Sequence, residues 1–588
     1  MSGKMDGSSD AVFFFEDGDA GGKRNSHGTT EDGRYEDSNG PPGRRALSEE
    51  SRMLGCDTVD YVQVTKVDNI CEDIENNNTD DKGNIFDDRN IVTRFSSNSK
   101  GVFAQCLVSG AVLLLAAGGG MPIGYSAILL PQLAQNNGTM HADRELGSWI
   151  ASVHSLATPV GSLMSGPLLD GIGRRGSLRL TAVPLCTGWI IMGFAQNIPT
   201  LLIGRVVSGL AVGLMAVPAQ VLLGEMADPG LRGFLTGSTL AFYCLGIVII
   251  YALGATLAWN MVAFCGTILP VLALSALLLI PESPTWLVRQ KKPEEARKAL
   301  LWLRGGNAKQ VNTEIAILEA RAKTDLARMD LNMSLAEQAS AAISTILDPS
   351  VLKPLTIINV FNLLQLISGT YVIVFYAVDL IADIGGNRIN NYLAAVITGI
   401  VRLLFSSISS VLLLKVGRRS LGMFSAFGTA FASLNLAGYM LFKKESSSAD
   451  IYVIGICLLL YVGVNTLGLM TLPALMVAEL LPQRARGIGG GCNFFFFNLF
   501  IFIVTKVFPM VCETVGIAGI FIIFGISAIL EGAFIYVALP ETNNRTLEEI
   551  EDYFQQSNLL WVTRSTERRK DAAFIMNNFS TQRMQNCT

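Results

Sequence analysis

Three histidines serve all 588 residues, and charged residues make up only 16% of the chain. Soluble domains carry roughly 25% charge, so a single apolar core wrapped in a charged surface does not fit. No Cys-x-x-Cys pair and no Cys/His cluster with metal-ligand spacing occurs. The ten cysteines are scattered, several inside apolar runs as at Cys106, Cys186, Cys244, Cys265 and Cys457. They read as small buried residues, and no metal site is expected. There is no Gly-x-Ser-x-Gly, no His-Glu-x-x-His and no Walker loop. Those absences argue against an enzyme and against ATP-driven transport, and nothing calls for a cofactor or nucleic acid.

What the chain has is hydrophobicity. Half of it is apolar and the mean hydropathy is +0.41. About 20 apolar residues cross a bilayer. Runs of that kind lie at 102–130, 147–169, 178–196, 199–222, 234–257 and 260–281. Six more lie at 352–381, 391–414, 421–441, 451–478, 488–510 and 515–539. The expectation is an all-α membrane protein of twelve transmembrane helices in two parallel six-helix halves, 101–281 and 351–540. Residues 282–350 are a polar block between the two sets of runs. Residues 1–100 are rich in Gly, Ser, Asn and acids, as in Asn76-Asn77-Asn78-Thr79-Asp80-Asp81. They read as a disordered acidic tail, a solvated extension or a docking segment for cytoplasmic partners. Phe13-Phe14-Phe15 is too short for a signal peptide core and is followed by acids. Residues 541–588 form a second polar tail.

Basic residues in the short loops set the orientation. One side carries Arg174, Arg175, Arg179, Arg232, Lys415, Arg418, Arg419, Arg484 and Arg486; the other carries Arg144, Arg388, Lys443 and Lys444. The first side, with both termini, is expected in the cytoplasm. The sequon Asn137-Gly138-Thr139 then lies outside, where Asn137 can be glycosylated. Sequons at Asn77, Asn332 and Asn578 fall inside and are expected to stay unmodified.

Three signatures recur in the same order. Asp170-Gly171-Ile172-Gly173-Arg174-Arg175 returns as Lys415-Val416-Gly417-Arg418-Arg419. Glu225 followed by Arg232-Gly233 returns as Glu479 followed by Arg486-Gly487, and Pro281-Glu282-Ser283 returns as Pro540-Glu541-Thr542. The offsets run from about 244 to about 259 residues. Such register identifies duplicated halves. Asp170, Arg174, Arg175, Glu225, Arg232, Arg418, Arg419, Glu479 and Arg486 are expected to gate the inner mouth as ionic latches between helix ends. Positive-inside signalling needs only Arg and Lys, so it leaves the matched glutamates unexplained.

These motifs, with Gly204-Arg205, Pro281-Glu282-Ser283-Pro284-Thr285-Trp286-Leu287, Gln365, Ser368-Gly369 and Tyr376, resemble the sugar porter family of the major facilitator superfamily. The likeness covers roughly residues 105–555. Val504-Thr505-Lys506 with Phe508-Pro509 is most similar to the insect facilitated trehalose transporter-like group. The resemblance implies a plasma-membrane transporter that carries a sugar through a central cavity by alternating access, trehalose or a hexose being expected. It also implies a cytoplasmic helical linker at 282–350, where Ala296–Leu303 and Ile315–Ala327 fit short amphipathic helices. Gln365 matches the first glutamine of a family sugar-binding motif. Tyr371, Tyr376, Thr471, Asn493 and Asn498 are further candidates, since polar side chains inside apolar spans face a cavity or a neighbouring helix. Gly369 supplies local backbone freedom in the seventh span, and the break at Pro473 resembles the family's flexible tenth helix. The chain departs from the family pattern at Gly171, Cys244, Leu366, Ala474 and Arg402. Ser126 stands where proton-coupled relatives carry the acid that pairs with the arginine matching Arg205. Facilitated diffusion is therefore expected. His154 is more simply a helix–helix hydrogen bond than a proton site. Two other functions stay open: a sugar sensor without flux, and a transporter of another organic solute such as a carboxylate, anchored by Arg402 and Arg205.

Overall fold

The computed structural model describes residues 99–135, 140–328, 335–385, 390–413, 415–442, 450–482, 485–542, 550, 553 and 554. The acidic segment 1–98, Asn137 and its sequon, and most of 541–588 lie outside the described residues. Among the described residues every regular element is a helix.

The first half holds α1 (Ser99–Ala134), α2 (Arg144–Ile172), α3 (Arg174–Gly193), α4 (Ile198–Met226), α5 (Pro229–Gly254), α6 (Trp259–Gly266) and α7 (Ile268–Leu279). Four helices follow: α8 (Pro284–Arg289), α9 (Pro293–Leu303), α10 (Ala308–Arg328) and α11 (Leu335–Leu347). The second half holds α12 (Pro349–Ile367), α13 (Val372–Phe375), α14 (Ala377–Gly385), α15 (Asn391–Leu412), α16 (Arg418–Phe442), α17 (Asp450–Leu467), α18 (Leu472–Leu480) and α19 (Arg486–Ala538).

Among the described residues, nine helical stretches are long and apolar enough to cross a membrane. Neither α2 nor α3 is one of them. The physical reason lies in their polar faces. α2 buries Ser148, Ser152, Ser155, Thr158, Ser162 and Ser165 against its neighbours, and α3 opens on Arg174 and Arg175. The 53-residue α19 is interrupted at Gly516, whose φ is 69°. At 1.5 Å per residue a straight helix of that length would reach about 80 Å, far beyond an apolar bilayer core of about 30 Å.

Within the halves, α4 packs on α2 and α3, and α1 on α5; α16 packs on α17 and α19, and α12 on α19. Small residues let the backbones meet: a Cβ on Gly213 of α4 would collide with the Thr158 carbonyl of α2. The halves join along two seams, α5 with α15 and α2 with α19. α8, α9 and α10 share a small apolar cluster of Leu287, Val288, Ala296, Ala299 and Ala322. Arg304 fastens this layer to the first half through Asp228 at 3.1 Å, and its own Glu314 lies at 2.9 Å. Gln105 completes the joint by donating to Asp228 Oδ2 at 2.7 Å.

Two spans are broken. α12 stops at Ile367, and Gly369 takes φ +87° before α13 begins. The Phe524 ring occupies the place where a Cβ on Gly369 would go, so glycine is required there for both conformation and space. α17 stops at Leu467 and α18 begins at Leu472, with Pro473 in its first turn. Broken backbone inside an apolar bundle needs hydrogen-bond partners. Ser425 supplies them: its Oγ accepts from Gly468 N and Leu469 N, both at 3.1 Å, and donates to Val464 O at 2.6 Å.

Candidate functional site

At the end of the bundle where α2 meets α3, the three repeated signatures converge. Arg174, buried at the start of α3, places Nε 3.0 Å from Glu225 Oε2 at the end of α4. Ser283 donates to that same carboxylate oxygen. Glu282 accepts from the backbone of Arg175 at 2.9 Å and of Gly176 at 3.2 Å, capping α3 where its unpaired N–H groups and dipole favour an anion. Arg175 reaches the Ile280 carbonyl. Asp170 lies 3.8 Å from Arg174, but its side chain is 76% exposed, so water weakens that pair.

The second half repeats the cluster. Arg418 places Nη2 2.9 Å from Glu479 Oε1, and Thr542 donates to the other oxygen. Glu541 caps α16 by accepting from Arg418 N at 3.0 Å and Arg419 N at 3.1 Å. Arg419 reaches the Tyr536 carbonyl and lies 4.9 Å over that ring. Both ion pairs therefore join helices of the same half. Glu225 pairs with Arg174, whose position 51 residues upstream was spelled out by its own motif. The Arg232 side chain lies outside the described residues. Arg486 opens α19 with Nη2 at 3.5 Å from Leu481 O. Glu282, Ser283, Glu541 and Thr542 were not singled out from sequence as gate residues, although the repeat of Pro-Glu-Ser as Pro-Glu-Thr was the available signal.

The opposite end of the bundle is closed between the halves. Lys506 of α19 donates to Ser148 Oγ of α2 at 2.7 Å and stacks 4.2 Å from the Trp149 ring. One turn outward, Arg144 and Glu513 form an exposed pair at 2.7 Å. In the first half, Arg205 is fully buried, with no ion pair to an acid among the described residues. It donates to Ile150 O at 3.1 Å, Ala151 O at 3.2 Å, Pro122 O and Ser126 Oγ. His154 contacts Ser208 Oγ at 3.2 Å.

The six candidate sugar ligands are all buried. Most are bonded within the protein. Tyr376 donates to Thr505 O at 3.1 Å, and Tyr371 packs edge-on against Phe497. Thr471 meets Ser409 Oγ at 2.8 Å. Asn493 accepts from Asn362 at 2.9 Å, and Asn498 donates back to Phe494 O of its own helix. Gln365 differs: its Oε1 is buried without a hydrogen-bond partner among the described residues, which leaves an acceptor free for a hydroxyl. A narrow cavity between α5, α13, α15 and α17 is lined by Tyr251, Thr398, Gly399 and Arg402 among aliphatic side chains.

Known proteins place this architecture. The family described as "Sugar (and other) transporter" matches residues 119–554, about three quarters of the chain. The chain belongs to this transporter family.

Family relatives include the "Facilitated trehalose transporter Tret1" of Culex quinquefasciatus, 30% identical over 462 residues, covering 77% of this chain and 86% of that protein. The protein of the same description from Drosophila grimshawi is 31% identical over 465 residues, covering 78% of this chain; the matched region spans 49% of its length. The fold is also that of the xylose transporter XylE of E. coli. Its inward-open form superposes with TM-score 0.62 at 19% identity, over 76% of this chain and 99% of the other. The bromo-deoxyglucose-bound proton:xylose symporter structure gives TM-score 0.61 at 19% identity, over 78% and 100%.

Proposed function

We propose that this transporter carries a neutral sugar, trehalose or a hexose, by facilitated alternating access. The observation that carries the reading is the pair of matched charge clusters, Arg174–Glu225 and Arg418–Glu479, in two halves that meet around a cavity. Each cluster holds several helix ends of one half together. Each half can then rock as a unit about the central site.

Twelve spans follow if α2 and α3 are added to the nine apolar stretches and α19 is divided at Gly516. The end bearing Arg174, Arg175, Arg418 and Arg419 is cytoplasmic by its positive charge. That puts α8–α11 in the cytoplasm as a helical linker, with both termini on the same side of the plasma membrane. The names of the relatives support trehalose as cargo. The contact of Arg205 with Ser126, rather than with an acid, supports uniport. A serine hydroxyl does not titrate near neutral pH.

Purified protein in vesicles tests the reading with labelled trehalose and glucose. Saturable uptake without a proton current is expected, and Gln365→Ala should lower it at least tenfold. Uptake that needs an inward proton gradient would defeat uniport. Sugar binding without flux would favour a sensor.

A further inference from the structure

The break in the seventh span frees backbone carbonyls, and inside an apolar bundle each needs a donor. Three side chains act as donors here. Tyr461 of α17 donates to Ser368 O. Arg402 of α15 donates to Thr370 O at 3.0 Å. Tyr251 of α5 donates to Val374 O at 2.7 Å. The first two donors belong to the same half as the break. Tyr251 belongs to the other half, so its bond ties one half to the broken span of its neighbour.

The Tyr251 ring is held in place. It is 2% exposed. A Cβ on Gly124 of α1 would lie 3.3 Å from its Cε1, and one on Gly399 of α15 would lie 3.3 Å from its Cδ2. Two glycine faces, one from each half, therefore flank the ring and keep its hydroxyl on α13. That helix has four residues, bounded by Gly369 at φ +87° and by Tyr376. A helix so short has little stability of its own, and it rests on α1 of the first half. Tyr251, Ile373 and Val374 all line the narrow cavity, together with Thr398 and Arg402. The cavity has room for about one water molecule, so a sugar enters only if a wall moves. The walls from α5, α15 and α17 belong to helices of 26, 22 and 18 residues. The short α13 is the wall that gives.

We propose that Tyr251 is a positioning residue for transport: its phenol pins α13 over the cavity from the opposite half, and release of Val374 O is the step that admits the sugar. The ring holds the wall, not the cargo. The admission of sugar rests on this cavity being the transport site; the pin itself does not. A bond made only while the wall is in place favours the small cavity. Its loss raises the fraction of molecules with a widened cavity, and apparent sugar affinity rises with that fraction. Loss of a group that touched the sugar would weaken binding instead.

Accessibility without sugar tests the pin. Purified full-length protein carries Ile373→Cys as a reporter on α13, and maleimide labelling is followed against the same protein without that cysteine. Tyr251→Phe should raise the labelling rate about three- to tenfold, the range that loss of one net hydrogen bond allows. An unchanged rate would overturn the proposal. So would an equal rise at Ala426→Cys, in the apolar cluster at the arginine end, because that would show general loosening. If the cysteine variants fail to fold, hydrogen exchange of the 372–376 amides in Tyr251→Phe reads the same release: faster exchange supports the pin and unchanged exchange sinks it. Calorimetric titration with trehalose and with glucose tests the admission step. Whichever sugar binds the unaltered protein should bind Tyr251→Phe about two- to fivefold more tightly; weaker binding would make the ring a sugar contact and overturn the proposal. If neither sugar binds either protein, the sugar reading of the cavity fails, while labelling still decides the pin.

Discussion

The Lys506 ammonium lies 4.2 Å from the centre of the Trp149 ring and joins α19 of one half to α2 of the other. This contact, with the Ser148 hydrogen bond, closes the end of the bundle opposite the arginine clusters. A cation over an indole is worth about 0.5–2 kcal/mol, depending on how far water is excluded. The neighbouring Arg144–Glu513 pair is 74% and 50% exposed, and exposed pairs contribute about 0–1 kcal/mol. Lys506→Met should therefore open that end more than Glu513→Gln does. A cysteine introduced by Ser152→Cys, one turn deeper on α2, reports on it. Labelling by a membrane-impermeant maleimide should rise several-fold with Lys506→Met and little with Glu513→Gln. Equal rates for both would refute the assignment.

The two arginine–glutamate pairs should behave alike. Glu225→Gln and Glu479→Gln each leave a largely buried guanidinium facing a neutral amide. Loss of such a charged hydrogen bond costs about 1.5–3 kcal/mol. Both variants should lower the unfolding temperature and raise accessibility at the arginine end. Ser283→Ala, which removes a hydroxyl bonded to the same carboxylate, should do so more weakly. An effect confined to one half would show that the repeat has lost its symmetry of function.

Gly369→Ala should cripple expression and transport. A non-glycine residue in a left-handed or strained backbone region costs about 1–3 kcal/mol, and the added methyl meets the Phe524 ring. Pairing it with Phe524→Ala removes the collision but not the backbone cost. Partial recovery of folded protein, read by size-exclusion chromatography, is the expected result. Full recovery would mean that only space mattered.

Much of this was legible in the sequence because it is written locally. Hydrophobic runs give spans, Pro473 announces the break in the tenth, and Gly369 marked backbone freedom where the seventh is broken. α2 and α3 were also found as runs, although their buried serines and opening arginines leave them less apolar than the other spans. The partner of Glu225 was harder to find. Arg232 lies nearer in sequence, but helix packing brings Arg174 to it. Ser425 carried no local signal, and Lys506 stood out only as part of a motif, since the roles of both depend on which helix lies across from them. The candidate sugar residues show the same limit. Polarity marked Thr471, Asn493, Asn498 and Tyr376, but helix contacts already engage them in the described state, whereas Gln365 retains a free acceptor.

Ser425 has one hydroxyl, and it tends both sides of the break in the tenth span. The segment on the α17 side of the break cannot bend away from α16 without abandoning three hydrogen bonds at once. The break is thus not a free joint. α16 and α17 travel as one body, and the play in the span belongs to α18, the short helix whose last turn carries Glu479. The latch and the bend are two ends of the same nine-residue lever.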